Sequence, residues 1–476
     1  MTHHDTYENP LISRYASREM AEIWSSRRKF STWRRLWVAL AEAEASLGLA
    51  IDNDQVEALR AHVDDIDFDA ARAYERRFRH DVMAHVHTYG DAAPSARSII
   101  HLGATSCYVT DNADLILMRS ALAMIRSKLA ATIVALGDFA AKYRALPCLG
   151  YTHFQPAQLV TVGKRATLWC HELALDYEEV DRRLAGLKFL GVQGTTGTQA
   201  SFLALFDGDH AKVESLDVAV ARAFDFDATY PVAGQTYSRK VDAQVLDALA
   251  GVAASAHKFG TDVRLLAHER ELEEPFETEQ IGSSAMAYKR NPMRAERLCS
   301  LARFVAALPT SLSQTAATQW FERTLDDSAL RRIVIPQAFL AVDAMLDIWI
   351  DIARGLVVHE AVITRHVERE LPFMATENIL MAATRAGGDR QTLHELIRVH
   401  AHAAADRLKA GEPDNDLLGR IERDPAFAGV NLVSVLNPRA FIGRAPEQVD
   451  TFLEKVVAPI QARHVNEAVA HRPLDV

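Results

Sequence analysis

Residues 115–139 read LILMRSALAMIRSKLAATIVALGDF. Leu115, Leu122, Leu129 and Leu136 recur every seven residues, and Met118, Ile125 and Phe139 fill the partner positions, with Thr132 the exception. This is a coiled-coil-like seam over three heptads, and it predicts one long helix. A second seam runs through Leu159, Val162, Ala166, Trp169, Leu173, Tyr177, Val180, Leu184 and Leu187. A third runs through Val245, Leu249, Val252, Ala256, Phe259, Val263 and Leu266, and a fourth apolar stretch covers 333–358. Together they predict an all-α fold, a bundle of long helices packed at shallow angles. No run alternates convincingly as a strand. Asp343, Asp347 and Asp351 recur every fourth residue, so one face of the fourth helix is acidic, which a lipid-facing span would not tolerate. No membrane segment is expected.

Three units are expected: an N-terminal helical domain over 1–105, a central long-helix bundle over 106–358, and a C-terminal helical domain over 359–476. Breakers at Gly387-Gly388, Gly411 and Pro425 mark the shorter helices of the last. Narrow apolar stripes on long helices call for more than one neighbour each, so an oligomer with a shared bundle core is expected. Polar, glycine-bearing connections at 191–198 and 281–292 are the loops to search for function.

Composition narrows the partners. The chain has 476 residues, 49% hydrophobic and 24% charged, as in an ordinary globular protein. Lys and Arg number 53 against 63 Asp and Glu, a net charge of −10, which argues against non-specific nucleic-acid binding. Cys107, Cys148, Cys170 and Cys299 form no Cys-x-x-Cys pair, and reduced thiols in a cytoplasmic protein are expected. Met1-Thr2-His3-His4-Asp5 lacks the basic and apolar regions of a secretory signal.

There is no phosphate-loop motif, no dinucleotide glycine motif after a strand and no His-Glu-x-x-His. His80, His85 and His87 look metal-like, but on a helix His85 and His87 would point about 200° apart. The segment 282–292, GSSAMAYKRNP, is more informative. Asn291-Pro292 reads as an N-cap followed by proline at the first helical position. Arg294 and Arg297, three apart, fall on one face of the helix that follows. Paired serines and Lys289 make a mobile, donor-rich loop suited to a carboxylate or phosphate.

That loop resembles the GSSxMPxKxNP motif of the fumarase/aspartase lyase superfamily. The stretches 79–85 (RHDVMAH), 101–106 (HLGATS), 152–156 (THFQP), 234–240 (GQTYSRK) and 319–325 (QWFERTL) resemble the adenylosuccinate lyase family, closest to its animal-type branch. The likeness runs in order from Ser13-Arg14-Tyr15 to Gly443-Arg444-Ala445-Pro446. It implies a three-domain fold and elimination of fumarate from adenylosuccinate, giving AMP, and from the succinyl-carboxamide ribotide, giving its aminoimidazole product. Ser283 matches the general base, His153 the general acid, and His80 and Lys289 further active-site positions. Matching substrate contacts are Arg14, Tyr15, Arg79, Asp81, Thr105, Ser106, Gln235, Asn291, Arg297, Arg323, Ser328 and Arg332. A homotetramer whose sites combine three subunits is implied, and no metal or organic cofactor. Ala287 departs from the family's proline, which implies slower loop closure. The rival readings are another fumarate-releasing lyase with a different succinylated substrate, and a non-catalytic crystallin-like protein. The second predicts loss of Ser283, Lys289 and His153, and all three are present.

Overall fold

The computed structural model describes residues 5–432, 436–465 and 467; Met1–His4, where no signal is expected, lie outside them. Short helices come first: α1 (Arg18–Ile23), α2 (Ser26–Ser46), α3 (Asn53–Ala61), α4 (Phe68–Phe78) and α5 (Asp81–Ala92). The long helices are α6 (Ser106–Lys142), α7 (Val162–Gly186), α10 (Lys240–His268) and α13 (Asp327–Gly355). Between them lie α8 (Ala200–Leu205), α9 (His210–Arg222), α11 (Met293–Ala306) and α12 (Pro309–Ala317). The chain continues through α14 (Glu360–Met374), α15 (Thr376–Arg385), α16 (Arg390–Lys409) and α17 (Leu417–Arg423).

Each heptad seam becomes a core helix. Leu115, Met118, Leu122, Ile125, Leu129 and Leu136 are wholly buried on α6, and Val252, Ala256 and Val263 are wholly buried on α10. The helix α6 is also more than a seam. It packs against α7, α13 and α2 and is buried on most of its circumference. Two helices, α6 and α13, are long and apolar enough to cross a membrane by length and composition, and both are largely buried inside the protein.

The acidic face of α13 is consumed internally. Lys128 of α6 lies 2.6 Å from both Asp343 and Asp347, and the backbone N–H of Ser17 donates to Asp343 at 2.7 Å. Asp351 takes Arg294 of α11 at 2.7 Å. Carboxylates four residues apart thus pin α13 to two neighbouring helices.

Three local expectations need correction. Leu159 does not begin the second helix. It lies in a hairpin that the sequence reading missed, β1 (Pro147–Thr152) paired antiparallel with β2 (Gln155–Thr161). The helix α7 starts only at Val162, where the Thr161 side chain accepts from the Lys164 N–H at 3.0 Å, and Leu187 is its C-cap. The fourth helix stops at Gly355. Val357–Val358 instead form β4, paired with β3 (Leu272–Glu273). A methyl group on Gly355 would meet the ring of Pro275, so only glycine lets these segments close.

The helices α15–α17 enclose a second, smaller core of Ile379, Leu393, Ile397, Leu417, Ile421 and Phe427, among others. All four cysteines are buried and unpaired.

Candidate active site

Helix starts converge on one cavity of about 780 Å³. Its lining includes Asp81 and Ser106, the first residues of α5 and α6, Arg239, just before α10, and Asp327, the first residue of α13. Helix N-termini carry partial positive charge and unsatisfied N–H groups, so this convergence favours an anionic ligand. Beneath it lies a buried ionic lattice. Arg239 donates to Asp111 at 2.8 and 3.1 Å and to Asp327 at 2.6 Å. Arg331 donates to Asp242 at 2.7 Å and to the Tyr237 hydroxyl at 2.6 Å, and lies 2.9 Å from Asp114. Burial disfavours the charge on Arg239, but Asp111 holds its pKa above the ordinary arginine value. Burial raises the Asp114 carboxyl. Breaking either arginine out of such a lattice would strand buried carboxylates.

Arg79, His80, Asp81, Thr105, Ser106, Gln235, Arg323, Ser328 and Arg332 all line this cavity. Arg79 ends α4 in the left-handed conformation (φ 55°), which turns the chain so that His80 can cap α5. His80 Nδ1 accepts from the Met83 N–H at 3.3 Å, which leaves the ring proton of a neutral imidazole on Nε2, 3.3 Å from Ser106 Oγ. Behind it His101 accepts from the Trp37 indole at 3.0 Å, and burial, then His80, lowers its pKa to about 4. Asp81 pairs with Arg332 at 2.7 Å. Burial alone would raise the Asp81 carboxyl; Arg332 and the Val82 N–H hold it below the usual range.

Gln235 is fixed by three segments. Its side chain donates to the Thr195 carbonyl at 3.0 Å, its N–H donates to the Glu322 carbonyl at 3.1 Å, and the Cys107 thiol donates to its Oε1 at 3.5 Å. Arg323 donates to Cys107 Sγ at 2.7 Å. Burial pushes that thiol up to about 12, so it stays protonated and keeps both contacts. The glycine-bearing loop 191–198 therefore supports the site from behind. Added Cβ atoms at Gly197 and Gly234 would fall 1.9 Å from the Ala233 carbonyl oxygen and 2.5 Å from the Glu322 carbonyl oxygen. Next to Arg323, Trp320 is 71% exposed.

The other expected residues lie outside this cavity. His153 and Phe154 form the two-residue tip of the β1–β2 hairpin, both left-handed (φ 52° and 57°). Such a turn normally takes Asn-Gly, so His153 is displayed at a strained, exposed tip. Ser283 Oγ accepts from the N–H groups of Met286 (3.1 Å) and Ala285 (3.4 Å), an arrangement that would stabilise negative charge on that oxygen. Lys289 closes the same turn through its N–H to the Met286 carbonyl at 3.0 Å. Gly282 packs so tightly on the Lys289 carbonyl that no side chain fits there. Arg14 and Tyr15 end a short π-helical segment (Leu11–Tyr15), with Arg297 of α11 5.9 Å from the Tyr15 ring centroid.

Asn291 is not the N-cap of α11. Pro292 holds that position, and the Asn291 amide instead donates to the Gly282 carbonyl at 2.7 Å, tying the loop shut. The cap comes from Glu274, whose carboxylate accepts from the N–H groups of Arg294 and Ala295, each at 2.9 Å. Arg294 is buried against Asp351 and Glu277, while Arg297 lies over the Tyr15 ring. His85 stacks on Phe30 and His87 on Tyr74, in separate aromatic settings that share no ligand face.

Residues 14–306 match the lyase family, and residues 372–452 match the adenylosuccinate lyase C-terminus. The chain is 55% identical to an adenylosuccinate lyase of Saccharomyces cerevisiae over 96% of both chains. It is 52% identical to one of Schizosaccharomyces pombe over 98% of this chain and 99% of that one. An adenylosuccinate lyase of Schistosoma mansoni is 47% identical over 96% of both. Among solved structures, a 3-carboxy-cis,cis-muconate lactonizing enzyme from Pseudomonas putida superposes with a TM-score of 0.82 at 24% identity, covering 95% of this chain and 99% of that one, which speaks for the fold. With near-full-length relatives of one name and the motif residues gathered at helix starts, the chain belongs to the adenylosuccinate lyase family.

Proposed function

We propose that the protein eliminates fumarate from adenylosuccinate and from the succinyl-carboxamide ribotide. The observation that carries this is the cavity at the helix starts, where the expected nucleotide contacts from 79–81, 105–106, 235 and 323–332 meet in one anion-favouring space. In the proposed reaction Ser283 takes the proton from the succinyl carbon next to a carboxylate. The electron pair left behind forms the carbon–carbon double bond of fumarate, the C–N bond breaks, and His153 supplies the proton to the departing nitrogen. A serine is a poor base in water. The two N–H groups aimed at Ser283 Oγ support an alkoxide there, and Lys289 supplies a cation in the same loop.

The cavity that holds His80 is lined by neither the Ser283 loop nor the His153 hairpin tip. This supports a homotetramer with sites shared among subunits. Exposed Leu168 and Leu175 on α7 and Leu265 on α10 supply apolar surface for such packing. Four buried thiols suit a reducing compartment, the cytoplasm.

The test is fumarate release from adenylosuccinate by the purified protein beside Ser283→Ala. Release by the parent and a loss of at least 100-fold in the variant is the expected result. No release by a folded parent overturns the assignment.

A further inference from the structure

Three arginines of the cavity lining are already paired with carboxylates. Arg239 and Arg331 are committed to buried aspartates, and the more exposed Arg332 also contacts Asp81. Lys29 differs. It projects from the first turn of α2 into the same cavity, and among the described residues its ammonium makes no ion pair or hydrogen bond. Its ammonium lies 5.2 Å from the Trp33 ring centroid and 5.6 Å from that of Phe30. Those rings shield it from water without supplying an anion.

The surroundings indicate which anion. Burial lowers the Lys29 pKa; Asp114 and Asp81 oppose that, while Arg332 and Arg331 add to it. A cation under those pressures gains most from a multiply charged ligand. Ser328 and Arg332, one turn apart on α13, line the same space, and Asp326 gives the first turn of α13 no side-chain cap. Ser283 and His153, the groups proposed to move protons, lie outside this cavity, so the cations around Lys29 are left with a part of the ligand where neither proton moves. On a nucleotide the dianionic group remote from the reaction is the 5′-phosphate.

We propose that Lys29 is a further substrate-binding residue, meeting the 5′-phosphate from α2 while Ser328 and Arg332 meet it from α13. This rests on the nucleotide substrate argued above. The experiment uses the full-length protein with Lys29→Gln and Lys29→Arg. It measures kcat and KM for adenylosuccinate and, by calorimetry, the dissociation constants of AMP and adenosine. Lys29→Gln should raise KM and weaken AMP by about 10- to 100-fold, the range of a charge-assisted contact. Its kcat should stay within about threefold and adenosine within about twofold. Lys29→Arg should recover most of the AMP affinity. Equal losses for AMP and adenosine, or a fall in kcat at unchanged KM, would overturn the proposal. If Lys29→Gln does not assemble, Lys29→Met keeps the stem against Trp33 and takes its place. Fumarate release by the parent judges the reaction separately, because the AMP-to-adenosine ratio reads Lys29 whether or not the parent turns over.

Discussion

Glu44, on α2, is wholly buried, and neither carboxylate oxygen has a hydrogen-bond partner. Burial raises its pKa from 4.5 to about 8, so the folded protein holds a proton there that the unfolded chain releases. The sign follows from linkage: the associated stability is fully present below pH 4.5 and is lost as pH rises through 8. In Glu44→Gln that loss disappears. The stability difference between parent and variant should grow with pH by up to about 1.4 kcal/mol per unit between pH 5 and 8. Melting both proteins across that range checks it, and a pH-independent gap would refute it. At the hairpin tip, His153→Asn separates fold from chemistry. Asparagine tolerates the left-handed backbone, so the melting temperature should hold while kcat falls by about 10²- to 10⁴-fold. Retained turnover would remove His153 from the proton-donor role. The likeness of the motifs makes His153 readable in the sequence. Lys29 is not readable, because a lysine on the first turn of an amphipathic helix reads as ordinary surface until the fold shows what it faces.

Among the elements, α6 and α13 are joined by Lys128 between Asp343 and Asp347. Lys128→Ala should cost about 3–5 kcal/mol, because the buried Asp343 and the half-buried Asp347 lose this cation. Lys128→Met with Asp343→Asn should be less damaging than the single change; additive losses in denaturant melts would show that the residues are not coupled. In the loop 282–292, the Ala287 N–H makes no hydrogen bond among the described residues, so proline there forfeits none. Ala287→Pro should raise kcat by restricting the open loop; unchanged or lower turnover would count against loop closure as the limiting step. The long helices are legible because a seven-residue repeat survives whatever the partner is. The hairpin is not, since His153-Phe154 occupies a turn where Asn-Gly would announce itself. Nor is the true cap of α11, because Glu274 reaches it from 20 residues upstream. The same distance problem hides the lattice of Asp111, Arg239, Asp242 and Arg331, whose members come from α6, the start of α10 and α13.

For the whole molecule, the separation of Ser283, His153 and His80 has a direct test. Mixing Ser283→Ala with His80→Gln, each expected to be inactive alone, should restore measurable turnover after subunit exchange, since some sites would then draw every intact group from different chains. No recovery under conditions where subunits demonstrably exchange would mean that each chain completes its own site. Apolar stripes make an assembly an expectation, whereas the exposed Leu168, Leu175 and Leu265, on which the proposed assembly would pack, are not marked by periodicity alone. The six tryptophans divide in a way that serves the same question. Trp33, Trp37, Trp169 and Trp349 are buried and Trp24 is half-buried, while Trp320 stands in water beside Arg323. Emission from the chain should therefore contain one red-shifted component that acrylamide reaches first. Its quenching would trace how the 319–325 segment becomes covered as copies associate or nucleotide settles, an optical signal built into the native sequence without any dye.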